Sequence, residues 1–276
     1  MTGDVFRAGP TLRVGVVGCG RVGGAICRSL DEHVTQARLH AIYDIDAAKV
    51  QAVMWSLKHR PQSMSLAGVI ATCDLIVEAT NPKVAPDVIR HALDGGKDVL
   101  VTNAVAIVGR EEFVGIALER GTSIRLACDV LVGLDGVRAA VGGAIESAAL
   151  TVVGPPAFFA SQPAGQRAGL DAVVLDQPKQ CFRGTGADAL EALPELANAI
   201  AVLCFAGRGF GQTTVIAVAD PATRDLTCRI AASAAEVSLT TESRIPLPEQ
   251  GPRASPLVAL SAVTALRRAV DSLVVG

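Results

Sequence analysis

Three glycines near the N-terminus stand at a spacing suited to binding phosphate. The run Val14-Gly-Val-Val-Gly-Cys-Gly-Arg-Val-Gly23 places Gly18, Gly20 and Gly23 in a GxGxxG pattern. An apolar stretch precedes it and a helical pattern follows, the strand–turn–helix context in which such glycines hold a dinucleotide. Gly18 permits a tight turn and Gly20 lets the backbone approach a pyrophosphate. Gly23 lets the helix pack close to the strand, with the phosphate charge at the helix N-terminus. Arg21 and Val22 lie inside the pattern and share the turn. Twenty-one residues beyond Gly23, at the end of the next apolar stretch, stands Asp44. A carboxylate there accepts hydrogen bonds from the adenosine ribose hydroxyls and repels a 2′-phosphate, and Asp46 adds to that repulsion. The expected cofactor is NAD(H), with NADP(H) disfavoured.

These residues need a scaffold, and the first 125 residues supply its pattern. Apolar stretches at 12–17, 39–44, 75–79, 98–102 and 123–127 alternate with helical patterns at 22–31, 47–57, 84–93 and 110–119. Strands separated by helices imply parallel βαβ units, and strands apolar throughout imply a sheet covered on both faces. The expected fold class is α/β, a Rossmann-type doubly wound parallel sheet, followed by a second α+β domain for substrate binding and dimerisation. In such a sheet the loops at the carboxyl ends of the strands face the cofactor. Ala79 and Thr80 after one strand, and Asn103 after the next, are therefore candidates to line it. Glu78 reads equally as a strand-end surface charge.

Beyond residue 127 the texture changes. Helical patterns at 135–146 and 187–206, the latter interrupted at Pro194, are mixed with strand-like stretches at 150–153, 172–175, 213–219 and 226–231. Residues 244–256 read as a proline-rich loop and 257–274 as a long amphipathic helix. The expected domains are 1–130 for the dinucleotide, 131–254 for substrate and dimerisation, and a C-terminal helix at 255–276 that can return to the first domain.

Composition excludes several classes. Half of the 276 residues are hydrophobic, enough for a sizeable core, while a net charge of −2 without a basic stripe gives nucleic acid no footprint. The apolar runs are too short to span a bilayer, and the first ten residues lack a signal-peptide pattern. Seven cysteines without a CxxC pair read as free thiols in a reducing cytoplasm. No metal-ligand spacing is present.

The order of motifs resembles the L-aspartate dehydrogenase family over nearly the whole chain. The similar segments are Asp74-Leu-Ile-Val-Glu-Ala, Gly96-Lys-Asp-Val-Leu-Val, Gly133-Leu-Asp-Gly, Phe182-Arg-Gly-Thr-Gly-Ala, Ala219-Asp-Pro221 and Ser255-Pro-Leu-Val-Ala-Leu-Ser. The resemblance implies a homodimeric oxidoreductase that moves a hydride between C2 of aspartate and a nicotinamide. The products are iminosuccinate, or oxaloacetate plus ammonia, and the reaction also runs in reverse. It further implies that Asn198 contacts the nicotinamide end of the cofactor and that Val130 lies at the same pocket.

The sequence also departs from that family. A catalytic His is expected eight residues after Asp220, where this chain has Cys228, and no His follows His91. A small neutral stretch expected before Gly133-Leu-Asp is Ala127-Cys-Asp-Val130, which puts Asp129 where a general acid or base acts. Cys228 and Asp129 are thus the catalytic candidates, beside the plainer readings of a small buried hydrophobe and a turn residue. Arg253 and Arg183, on family-like loops, are candidates to pair with substrate carboxylates, as is Arg244. Two other readings stay open: a reductase for another small imino or keto acid, and a catalytically silent NAD(H)-binding regulatory protein.

Overall fold

The computed structural model describes residues 11–33, 36–142, 145–170, 175–247 and 256–270. The chain divides into two compact units, Met1–Ala127 with Pro256–Gly276, and Cys128–Ser255.

In the first unit the strands are β1 (Leu12–Val17), β2 (Ala37–Tyr43), β3 (Gln62–Ser63), β4 (Leu75–Glu78), β5 (Asp98–Val101) and β6 (Ile124–Leu126). They pair in parallel in the order β3-β2-β1-β4-β5-β6. Five helices connect them: α1 (Arg21–His33), α2 (Ala47–Trp55), α3 (Leu66–Thr72), α4 (Ala85–Asp94) and α5 (Glu112–Arg120). The order reverses between β1 and β4, which creates the crevice where doubly wound sheets bind ligands.

Both faces of the sheet are buried. Val14, Val16, Leu75 and Val77 pack with Ile26 and Leu30 of α1 on one side. Val17, Ile76, Val99 and Val101 pack with Ala85, Val88 and Ile89 of α4 and with Phe113 of α5 on the other. The C-terminal helix α11 (Pro256–Val270) belongs to this unit. Its Ala259, Ala262, Val263 and Leu266 complete the α1 side of the core, where each large apolar side chain contributes about 1.5–3 kcal/mol.

The second unit begins with α6 (Leu134–Gly142) and is built on a five-stranded mixed sheet. Its strands are β7 (Ile145–Gly154), β8 (Lys179–Thr185), β9 (Thr214–Ala219), β10 (Asp225–Ala234) and β11 (Val237–Pro246), in the order β11-β10-β7-β9-β8. The β7–β9 pair is parallel and the others are antiparallel. Short helices α7 (Pro156–Ala160) and α8 (Pro163–Arg167) precede β8. The helical pattern at 187–206 divides into α9 (Gly186–Ala192) and α10 (Ala197–Ala206), with Pro194 in a short 3-10 turn between them. Proline at that point removes a backbone donor and breaks the helix.

Burial alternates along the strands. Leu150, Val152, Val215, Ala217, Leu226, Cys228 and Ile230 are buried, while Ala149, Thr151, Val153, Ile216 and Val218 are only half-buried on the opposite face.

Several local expectations are corrected. The helix expected over 135–146 ends at Gly142, and Glu146 lies in β7. Arg244 lies in β11, not in a loop. Strands β8 and β11 are the two edges of their sheet, and their Ser, Thr, Gln, Arg and Glu content hides the apolar alternation that marks an inner strand. Most of the strand expected at 172–175 falls outside the described residues. No single helix among the described residues is long and apolar enough to cross a membrane.

Candidate active site

The turn after β1 is shaped by its glycines. Gly18 has φ +102°, and a Cβ there would stand 2.3 Å from the Ala79 carbonyl oxygen at the end of β4. A Cβ on Gly23 would meet the Gly18 carbonyl oxygen at 1.8 Å, so a side chain here collides with backbone. Gly20 is the opposite case, since a Cβ on it would meet nothing within 4 Å. Two glycines therefore close the turn and the third leaves room beside it. Helix α1 starts at Arg21, which is exposed, and Val22 is half-buried. The first turn of a helix presents N–H groups without intrahelical acceptors and the positive end of the dipole.

Asp44 follows β2 and reaches the same turn. Its Oδ2 accepts from the Cys19 N–H at 2.7 Å and its Oδ1 from the Asp46 N–H at 2.9 Å. A carboxylate has about four acceptor positions, so each oxygen keeps capacity for a ribose hydroxyl. Open space beside Gly20 and an anchored carboxylate with spare acceptors together fit an adenosine pyrophosphate. A cleft of about 370 Å³ adjoins Asp44, lined by Tyr43, Ala47, Val50, Gln51 and Met54 among others. The Asp46 side chain is occupied as the N-cap of α2, accepting from Ala48 N–H at 3.0 Å.

The neighbouring strand ends meet at the same edge of the sheet. Ala79 is buried and donates its N–H to Val17 O at 2.8 Å. Thr80 is tied by its N–H and its hydroxyl to Glu78 Oε1, each at 2.7 Å. Asn103, half-buried, opens a 3-10 turn after β5 and makes no capping bond through its side chain. Glu78 is not a surface charge: it is 0% exposed, and burial pushes its carboxyl above the usual range against hydrogen bonds from Thr80.

The second unit carries a separate polar cluster. Asp129 has φ +56°, the only left-handed non-glycine residue among those described. Such a conformation costs about 1–3 kcal/mol and persists only where surroundings hold it. Asn198, on the first turn of α10, donates from Nδ2 to Asp129 Oδ2 at 2.8 Å. Burial pushes the Asp129 carboxyl up, and the Asn198 bond and the Val130 N–H only partly offset this. Val130 is buried, and its carbonyl accepts from Ser243 Oγ on β11 at 2.6 Å.

Ser243 pairs with Cys228 across the β10–β11 ladder. The Cys228 thiol is pushed up to about 12, first by burial and then by the Asp129 charge. It is therefore a protonated thiol at neutral pH, unlike a nucleophilic thiolate. Asp129, Val130, Asn198 and Cys228 thus form one neighbourhood. Ser243 joins it without any signal in the sequence, because its partner is a main-chain carbonyl 113 residues away.

Of the described candidates, Arg183 and Arg244 do not join that neighbourhood. Arg183 is exposed on β8, three strands from β10, or about 14 Å at ordinary strand spacing. Arg244 is exposed on β11. Arg253 lies outside the described residues. Among the described residues no group of three or more His, Cys, Asp and Glu could hold a metal ion.

Residues 18–127 match the family model for the homoserine dehydrogenase NAD binding domain, and residues 135–269 match the aspartate dehydrogenase C-terminal domain. L-aspartate dehydrogenase of Methanosarcina barkeri is 30% identical over 270 residues, covering 96% of this chain and 99% of that protein. The chain belongs to the L-aspartate dehydrogenase family.

L-aspartate dehydrogenase of Bradyrhizobium diazoefficiens is 29% identical, with 98% and 95% covered. Among solved structures, aspartate dehydrogenase of Thermotoga maritima shares the fold at a TM-score of 0.72 and 17% identity, covering 96% of this chain and 99% of that one. Scyllo-inositol dehydrogenase of Lactobacillus casei, solved with NAD(H) and scyllo-inositol, is a more distant likeness in fold at a TM-score of 0.54 and 14% identity. At the position where the resemblance leads a His to be expected, this chain has Cys228, and no His follows His91.

Proposed function

We propose that the chain is an NAD-dependent amino-acid dehydrogenase of the aspartate dehydrogenase type. The observation that carries this reading is the turn at Gly18–Gly23 with the Asp44 carboxylate anchored on it, in a chain alike to L-aspartate dehydrogenases over 96% of its length. When bound, the dinucleotide supplies the hydride chemistry that interconverts aspartate and iminosuccinate, which water takes to oxaloacetate and ammonia.

The chain's own residues do the holding and the proton work. The room beside Gly20 and the first turn of α1, with Arg21 and Val22, receive the pyrophosphate. Asp44 takes the ribose hydroxyls, which favours NAD(H) over NADP(H). Ala79, Thr80 and Asn103 wall the dinucleotide, and Val130 and Asn198 serve its nicotinamide end. Asp129 holds a proton at its carboxyl oxygen and exchanges it with the substrate nitrogen or the attacking water, the task a His performs elsewhere in the family. Its support is the burial that favours the neutral acid and the Asn198 bond that orients it. Cys228 then contributes volume, not charge. Arg183 and Arg253 stay candidates for a substrate carboxylate.

The chain works as a homodimer in the cytoplasm. Support comes from the half-buried apolar face of the second sheet at Val153, Ile216 and Val218, and from seven free cysteines. A second reading, a reductase for a different small imino or keto acid, is favoured by one observation: Cys228 stands where the resemblance leads a His to be expected. Oxidation of NADH with oxaloacetate plus ammonium supports the first reading. Turnover of other keto acids alone moves the assignment to the second. NADH binding without turnover of any keto acid overturns both.

A further inference from the structure

Glu78 ends β4 with a carboxyl that solvent does not reach. Its Oε1 takes two hydrogen bonds from Thr80, through the N–H and the hydroxyl. From the loop after β5, the N–H groups of Asn103 and Thr102 also act on the carboxyl, yet Oε2 has no hydrogen-bond partner. The residues paired with it across the sheet are Val17 on β1 and Val101 on β5, neither of which titrates. An apolar side chain would extend the Leu75–Val77 run equally well. The carboxyl's own contribution is the tie it makes to the loop that follows β4. That loop lies directly on the glycine turn, since a Cβ on Gly18 would stand 2.3 Å from Ala79 O and 3.0 Å from Thr80 N.

We propose that Glu78 is a positioning residue for the dinucleotide: one buried carboxyl holds the loop 79–81 against the glycine turn and the loop 102–104 beside it, and so sets cofactor affinity. The inference rests on the dinucleotide reading of the first unit. Glu78 acts through Thr80 and the backbone, and burial raises its carboxyl above the usual range. Glutamine has the same shape and keeps an oxygen for Thr80 to bond, whereas leucine keeps the bulk and leaves the Thr80 donors without an acceptor.

NADH titration by fluorescence on the wild type, Glu78→Gln and Glu78→Leu, each checked for folding by circular dichroism, tests this. The expected result is Gln within about threefold of the wild-type Kd and Leu weaker by about tenfold or more. A folded Leu variant within about twofold of wild type overturns the proposal, as does a Gln variant as weak as Leu. Should Leu fail to fold, Thr80→Val removes one of the two bonds at nearly constant size. It is expected to weaken NADH by about threefold, and an unchanged Kd overturns the proposal. A wild type that does not bind NADH removes the proposed function and this inference together. A wild type that binds, with an unaltered Leu variant, removes this inference alone.

Discussion

The turn after β1 and the cluster around Asp129 are made of different materials. The turn is backbone: its shape depends on where a Cβ fits, and Gly18 and Gly23 have no room for one. The cluster is side chain: a strained Asp129, an amide from Asn198, a hydroxyl from Ser243 and a buried thiol from Cys228. Backbone sites tolerate little change because a carbonyl cannot be traded for another group. Side-chain sites can be rebuilt by exchanging one residue type for another. In the reading proposed above, this chain keeps the first kind of site and carries a changed form of the second.

The largest expected effect comes from breaking the backbone site. Gly23→Ala forces a methyl to within 1.8 Å of the Gly18 carbonyl, so the turn must open. A loss of about 3 kcal/mol or more in stability is expected by chemical denaturation, with NADH binding lost. A variant that melts and binds like wild type would show that the turn adapts as freely as a side-chain site. Next is Asp44→Ala, which removes a carboxylate without touching the turn's sterics. NADH should weaken by about tenfold and NADPH should gain relative to it, read from the ratio of kcat/KM for the two cofactors. An unchanged ratio would separate Asp44 from the ribose.

Smaller effects are expected in the second unit. Cys228→Ala should cost about 1–2 kcal/mol of stability while keeping turnover, because the thiol is a protonated filler. Loss of turnover in a folded variant would return Cys228 to the chemistry. The smallest effect concerns pH. The folded Asp129 carboxyl is raised by burial, so its stabilising contribution is complete below the unfolded carboxylate pKa and is lost as pH rises through the raised value. Asn adopts the left-handed backbone readily, so Asp129→Asn should fold. It should gain stability relative to wild type as pH rises from acid toward neutrality, seen in paired thermal melts. A constant difference would mean that burial does not govern Asp129.

The same contrast explains what could be read from the sequence. The doubly wound sheet is legible because inner strands such as Leu75–Glu78 are apolar on both faces and the glycine spacing carries its own physical reason. Glu78 stands in the open in that sequence, yet its burial depends on two flanking strands and on Thr80 folding back over it. The cluster is half legible. Asp129 and Cys228 stand out because they replace expected residues, and Asn198 matches a family position. Their convergence is tertiary, and Ser243 has no signal because it bonds a main-chain carbonyl on a remote segment. Edge strands β8 and β11 elude the pattern for the reason edges exist: their outer residues face water.

The central claim is that Asp129 has taken over proton transfer while the dinucleotide site is untouched. Turnover of NADH with oxaloacetate and ammonium by Asp129→Asn, set beside its NADH Kd, tests it most directly. The account predicts a fall in kcat of about 10²–10⁴-fold with the Kd unchanged. Wild-type turnover by the Asn variant would contradict it.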